Sequence, residues 1–274
     1  MTQVATERVT VSRVERPAFV RAIRDALAVT QRNLIAYRRV PQLVVFSTIQ
    51  PVIFVVMFRY VFGGAIGLPV DFPYVDFLMP GVFVQTVVFG ALATAIGLAT
   101  DMKSGLMERF RSLPMARSAV LAGRTLADLT RNLFVVFLML LVGFLVGFRV
   151  HTDVWGLLGG ILLLLAFGYA MSWIFASVGL LVGDPETAQA AAFPLLAPLV
   201  FASSLFVPVQ SMPGWLQPWA NHQPVSVTAK AIRYLTLGDS PVGRASDLWE
   251  ALLWIAGILI VFAPLAVRRY RRAV

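Results

Sequence analysis

Residues Asp101 to Arg124 read DMKSGLMERFRSLPMARSAVLAGR, the one long polar interruption between two strongly apolar segments. Five basic residues, Lys103, Arg109, Arg111, Arg117 and Arg124, stand there against the acids Asp101 and Glu108. Loops between membrane spans that are rich in Lys and Arg stay on the cytoplasmic side, so this stretch sets the expected orientation of the whole chain. Within it, Ser104 to Leu113 has helix-forming content. Leu106, Phe110 and Leu113 share one helical face, while Glu108 and Arg111 point toward the other. Pro114 ends the helix. Two readings stand side by side: the apolar face presses into a pocket on a soluble partner, or the helix lies on the membrane with its arginines on anionic lipid.

The composition excludes a soluble domain. Hydrophobic residues make up 58% of the 274 residues, charged residues only 14%, and the mean hydropathy is +0.79, against about 25% charged residues in ordinary globular domains. With no Cys and only His151 and His222, disulfides, thiolate chemistry and zinc or haem sites drop out. The net charge of +9 does not point to nucleic acid, because of where the basic residues lie. Eight of them precede Pro41, five lie in the central loop and four in the tail, with Arg131 just inside a span. That asymmetry predicts both termini in the cytoplasm of a multi-pass plasma-membrane protein.

A membrane-spanning helix needs about 20 apolar residues. Six stretches fit, roughly Val44 to Phe62, Phe77 to Thr100, Leu126 to Phe148, Trp155 to Val182, Ala188 to Val207 and Leu248 to Val267. The expected fold is therefore an all-α membrane protein with six transmembrane helices. Residues 1–16 read as a disordered cytoplasmic start without a signal-peptide core, and 17–40 as an interfacial amphipathic helix. Residues 41–267 form the membrane domain, and 268–274 a basic cytoplasmic tail for anionic headgroups. Between the fifth and sixth spans, 208–247 is expected outside the cytoplasm. Its short helices would be one near Trp215 and Trp219 and one from Pro224 to Gly238, with Lys230 and Arg233 opposite the apolar side of the latter. Asp184 before Pro185 reads as a helix cap, and Asp247 with Glu250 as a capping pair. Asp128 and Arg131 are placed in the inner turn of the third span, spaced to pair.

Chemistry is sparse. Gly97 to Ser104, GLATDMKS, nearly matches a phosphate-binding loop, but Met102 stands where the second glycine belongs and a span rather than a strand precedes it. The spans carry almost no acids or histidines for ion coupling. Ser172 and Ser203 are expected to bond their own helix backbones. The small residues Gly90, Ala91, Ala93, Ala95 and Gly97 read as a helix-packing face. Pro51, Pro194 and Pro198 interrupt the first and fifth spans.

The string GLMERFRSLPMARSAVLAGR, Gly105 to Arg124, resembles the cytoplasmic segment of ABC-2 type transporter permeases. PGWLQPWANHQPVS, Pro213 to Ser226, is similar to the extracytoplasmic segment of their daunorubicin/doxorubicin-resistance branch. The resemblance covers nearly the whole chain from about Phe19 onward. It implies a transport subunit, not an enzyme, that exports a hydrophobic or amphipathic compound. It also implies two partners, a separate ATP-binding-cassette ATPase that binds and hydrolyses the ATP and a second permease subunit, identical or related. The coupling segment, 101–124, would then act through Gly105, Leu106, Glu108, Arg109, Phe110, Arg111, Leu113 and Pro114. Phe201, Phe206 and Met212 are the candidates for the substrate pathway. The competing classes are an ion-coupled secondary transporter and a membrane scaffold or lipid-modifying protein. If a partner supplies the nucleotide chemistry, the purified chain in lipid shows no ATP binding by equilibrium dialysis, and Lys103→Ala changes nothing. Stoichiometric binding would contradict the reading.

Overall fold

The computed structural model describes residues 41–68, 72–105 and 117–273, together with Arg24, Thr30, Gln31 and Ile35. Helix α1, Pro41–Val56, runs on through a π-helical turn, Met57–Phe62; α2 is Tyr74–Lys103, α3 Arg117–Val146, α4 Val154–Val182 and α5 Pro185–Phe201. Two short helices follow, α6, Gln217–His222, and α7, Pro224–Leu237, before the last helix, α8, Ala245–Ala273. Helices α2, α3, α4 and α8 are each long and apolar enough to cross a bilayer. The protein is all-α and largely membrane-embedded.

Local sequence explains the boundaries. Asp153 caps α4 by accepting from the Gly156 amide at 2.8 Å, and Gly183, at φ +73, closes it with its N–H on the Gly179 carbonyl, the left-handed stop that glycine adopts without steric cost. Asp184 then caps α5, as expected, accepting from the Thr187 amide at 3.1 Å, with Pro185 in the first turn. At α8 the cap differs from the expectation. The helix begins at Ala245, and Asp247 reaches back to the Arg244 amide at 2.7 Å. Asp247 thus serves from inside the first turn instead of standing before it.

Helix α2 is the axis of the bundle. It packs most extensively on α4 and also touches α5, α3, α7 and α1, and nearly all of its N-terminal half is buried. The small-residue face reads correctly as packing: a Cβ at Gly179 of α4 would meet the Ala95 carbonyl of α2 at 2.4 Å, so the two backbones touch. By contrast α3 turns Phe134, Phe137, Leu141 and Leu145 outward, and α8 does the same with Trp249, Leu253, Ile260 and Val261. Those stripes are the surface available to lipid. Ser172 donates to Tyr169 O of its own helix, as expected, and Ser203 donates to Val200 O from just beyond the end of α5.

Helix α5 stops at Phe201, short of the expected Val207, and residues 202–207 turn back irregularly. Buried irregular backbone survives only where protein groups satisfy its carbonyls. Arg233 of α7 does so. It is fully buried, donates to Ser204 O at 2.8 Å, Leu205 O at 3.0 Å and Phe77 O at 3.0 Å, and lies 3.6 Å from the centroid of the Phe77 ring. The expectation that Arg233 opposes the apolar side of its helix is therefore wrong. A guanidinium has five donors in a fixed fork, and here it meets two carbonyls at the break and one of α2, so the charge goes inward. The Tyr74 hydroxyl adds a bond to Phe206 O at 2.6 Å, and the Ser226 hydroxyl accepts from the Ser204 amide at 2.9 Å. Gly81 leaves the space: a Cβ there would stand 2.1 Å from the Leu205 carbonyl oxygen.

Each carbonyl left without its donor costs about 1–3 kcal/mol. Arg233→Met is therefore expected to be the most damaging substitution at this break. Arg233→Lys should fall between it and the wild type, since an ammonium keeps the charge but loses the fork. Thermal unfolding in detergent, read by the loss of monodisperse protein, orders the three; an unfolding temperature for Arg233→Met equal to wild type would refute this role.

Candidate transport and coupling site

Polar side chains gather at three levels of the bundle. At the end that carries the central loop, α2 closes with Gly105 at φ +67, its N–H on Met102 O at 3.1 Å. Four residues earlier, the Asp101 carboxylate meets Arg124 of α3 at 2.5 Å, and both side chains are largely buried. The guanidinium reaches it by lying across Gly97, where a Cβ would collide with Arg124 Nη2. The two ends of the 101–124 stretch are thus pinned together, and Thr30 donates to Gly123 O beside them at 2.9 Å. Lys103 meets Asp184 at 2.7 Å, tying α2 to the cap of α5 in a more exposed position. The Lys103 ammonium, helped by the Thr187 amide and hydroxyl, holds the Asp184 carboxyl down at about 2. Its folded value lies below the ordinary carboxylate range. The pair is therefore intact at neutral pH and weakens only as the pH falls through that range toward 2.

Of the coupling residues expected from sequence, Gly105 is the turn just described. Leu106, Glu108, Arg109, Phe110, Arg111, Leu113 and Pro114 lie outside the described residues. The pathway candidates have different surroundings. Phe201 ends α5 with 55% of its surface exposed. Phe206 is buried and stacked on Phe58, centroids 4.5 Å apart. Met212 follows a single helical turn, Val209–Ser211, and its carbonyl accepts from Gln217.

The second level was not singled out from the sequence. A cavity of about 210 Å³ lies among α1, α2 and α3, lined by Gln50, Gln85, Phe89, Arg131 and Asn132 among others. Gln85 is 2% exposed, near the middle of α2, and its Oε1 has no hydrogen-bond partner. Arg131 donates to Gly90 O at 2.6 Å and to Asn132 Oδ1 at 3.3 Å. One turn away, Asp128 is buried and accepts from the Thr94 hydroxyl at 2.6 Å. Helix α3 begins at Arg117, ahead of the expected Leu126, so Asp128 and Arg131 sit about three to four turns into the helix. The available signal was Gln50, Gln85 and Asn132, single amides inside apolar runs, since polar groups at such depth face protein or a cavity. The third level is the carbonyl cradle of Arg233.

A family model described as ABC-2 type transporter matches residues 24–237. The chain belongs to this family. It is 37% identical to the daunorubicin resistance ABC transporter permease of Streptomyces coeruleorubidus over 96% of this chain and 92% of that one. It is 30% identical to the probable doxorubicin resistance ABC transporter permease of Mycobacterium tuberculosis over 92% and 90%. The ABC-2 chain is thus a multi-pass membrane permease of the kind that carries no nucleotide-binding domain of its own. In this permease, the near-match to a phosphate loop at Gly97–Ser104 is helix through Lys103, with Gly97 occupied by the Arg124 contact.

The pinned base separates two kinds of ion pair. Arg124→Gln leaves a largely buried carboxylate facing a neutral amide and should lower the unfolding temperature clearly. Lys103→Gln breaks an exposed, screened pair and should leave it within error. Differential scanning fluorimetry of the two variants at neutral pH makes the comparison; the reverse order would disprove the assignment of Asp101–Arg124 as the structural pair.

Proposed function

We propose that this permease is a six-span half of an exporter in which α1 and α5 also cross the bilayer, both termini and the 101–124 segment are cytoplasmic, and α6 and α7 lie on the outer side. Its cargo is a hydrophobic or amphipathic compound of the drug or antibiotic class named for its relatives. A separate ATPase subunit supplies the energy, and a second permease copy, identical or related, completes the pathway. The observation that carries this reading is the segment between Asp101 and Arg124, basic in sequence and pinned at its base. A segment so held turns a push at its tip into movement of α2 and α3 together. Leu106, Phe110 and Leu113 dock on the ATPase, with Gly105 and Pro114 bounding the docking helix. Glu108, Arg109 and Arg111 orient the contact.

For the cargo, the Gln85 cavity offers one unpaired acceptor beside the apolar face of Phe89, which suits the polar end of an amphipathic molecule. Phe201, Phe206 and Met212 belong to the later, outer part of the route.

The test is co-purification of the ATPase with the permease, together with its turnover. Truncating an aromatic side chain at a packed site costs roughly 3–5 kcal/mol in protein cores, so Phe110→Ala should strip the ATPase from the complex. Glu108→Ala should keep assembly but lower substrate-stimulated hydrolysis, because rim charges orient more than they hold. Wild-type assembly and turnover in both variants would leave the helix as a membrane-surface element and sink the coupling role.

A further inference from the structure

Beside the carbonyl cradle, with Phe77 of α2 on one wall, lies a second cavity, of about 260 Å³. Lys230, Arg233, Arg244, Asp247 and Ser204 are among its lining residues. Three cations therefore surround it against a single lining acid. That acid is already engaged, with Asp247 accepting from the Arg244 amide at 2.7 Å. Lys230 is held in place by neutral groups alone, Asn221 O at 3.1 Å and Asn221 Oδ1 at 2.9 Å. Burial lowers the pKa of its ammonium, with Asp247 and Glu250 attracting it from farther off. The Ser204 hydroxyl is buried and has no hydrogen-bond partner. A polar wall with a surplus of positive charge and an unpaired hydroxyl is the lining that an oxyanion satisfies, since it can accept from several donors at once.

The level of the cavity narrows the ligand class. Trp249 stands near the start of α8, two residues after Asp247, and is 70% exposed; Trp215 just before α6 and Trp219 on it are exposed too. Trp254 donates its indole N–H to His222 O at 3.0 Å, binding α8 to the end of α6. Exposed indoles grouped in this way mark the headgroup layer of a bilayer. We propose that the Lys230–Arg244 cavity binds a phosphate oxyanion at headgroup level, carried by a lipid or free in solution. This site stands apart from the coupling segment and does not depend on how the permease is energised.

The experiment titrates the delipidated full chain in neutral detergent and follows thermal unfolding. The probes are dihexanoyl phosphatidylglycerol, the phosphate-free dihexanoylglycerol, and sodium phosphate against sodium chloride at equal ionic strength. A saturable rise in unfolding temperature with phosphatidylglycerol and none with dihexanoylglycerol is expected. A saturable response to phosphate alone would identify the free ion as a sufficient ligand, and a response to the lipid only would identify the headgroup. Either supports the site if Lys230→Gln and Arg244→Gln each weaken the apparent affinity at least tenfold while Lys230→Arg retains it. Arg244 is exposed, so its variant remains informative should Lys230→Gln fail to fold. The proposal is overturned if no phosphate-bearing probe gives a saturable response, or if Arg269→Gln in the basic tail removes the response and Arg244→Gln does not.

Discussion

A charge buried without an acid organises one end of this permease. Taking a guanidinium out of water is costly, and Arg233 recovers that cost through three backbone carbonyls and an aromatic face rather than through a carboxylate. The exchange works because the chain supplies carbonyls in need of donors where α5 breaks off. Take away the break and the arginine is stranded; take away the arginine and the break is left with unpaired oxygens. The surrounding residues follow from that mutual need. Gly81 admits the Leu205 carbonyl, Tyr74 and Ser226 bond the neighbouring peptide groups, and Gln223 donates to Leu199 O at 3.0 Å to hold the last turn of α5.

The opposite end is held by different physics. There side-chain charges do the joining: Asp101 with Arg124, and Lys103 with Asp184. Between the two ends, amides and hydroxyls surround two charged side chains, Asp128 and Arg131. Gln85, Asn132 and Thr94 sit among apolar neighbours, and the buried Asp128 is bonded to Thr94.

Much of this architecture was legible in the sequence, for identifiable reasons. Long apolar runs specify α2, α3, α4 and α8 because the bilayer leaves few alternatives, and Asp184–Pro185 announced a helix start through local bonding alone. What failed depended on tertiary partners. Nothing adjacent to Arg233 says that three carbonyls from two other segments await it, and a rule that places charges on the polar face of a short helix points it the wrong way. The Gln85 cavity was hidden similarly: a lone glutamine in an apolar run signals burial, but its unpaired oxygen emerges only when α1, α2 and α3 are assembled. The 101–124 segment carried the clearest sequence signal, its cluster of five basic residues. The pairing of Asp101 with Arg124 across it was not readable, since it depends on the missing side chain of Gly97.

The contact of Gly179 with the Ala95 carbonyl carries a mechanical consequence. Helices whose backbones touch cannot slide past one another by exchanging side-chain rotamers, because no side chain lies between them to yield. α2 and α4 therefore behave as a single stiff rib, and any working stroke has to be absorbed elsewhere. The compliant pieces are α1, with Pro51 and its π-helical turn, and α5, with Pro194 and Pro198, each missing backbone bonds that would resist bending. The rib sets the frame of reference, and the proline-softened helices on its flanks are the parts free to flex against it.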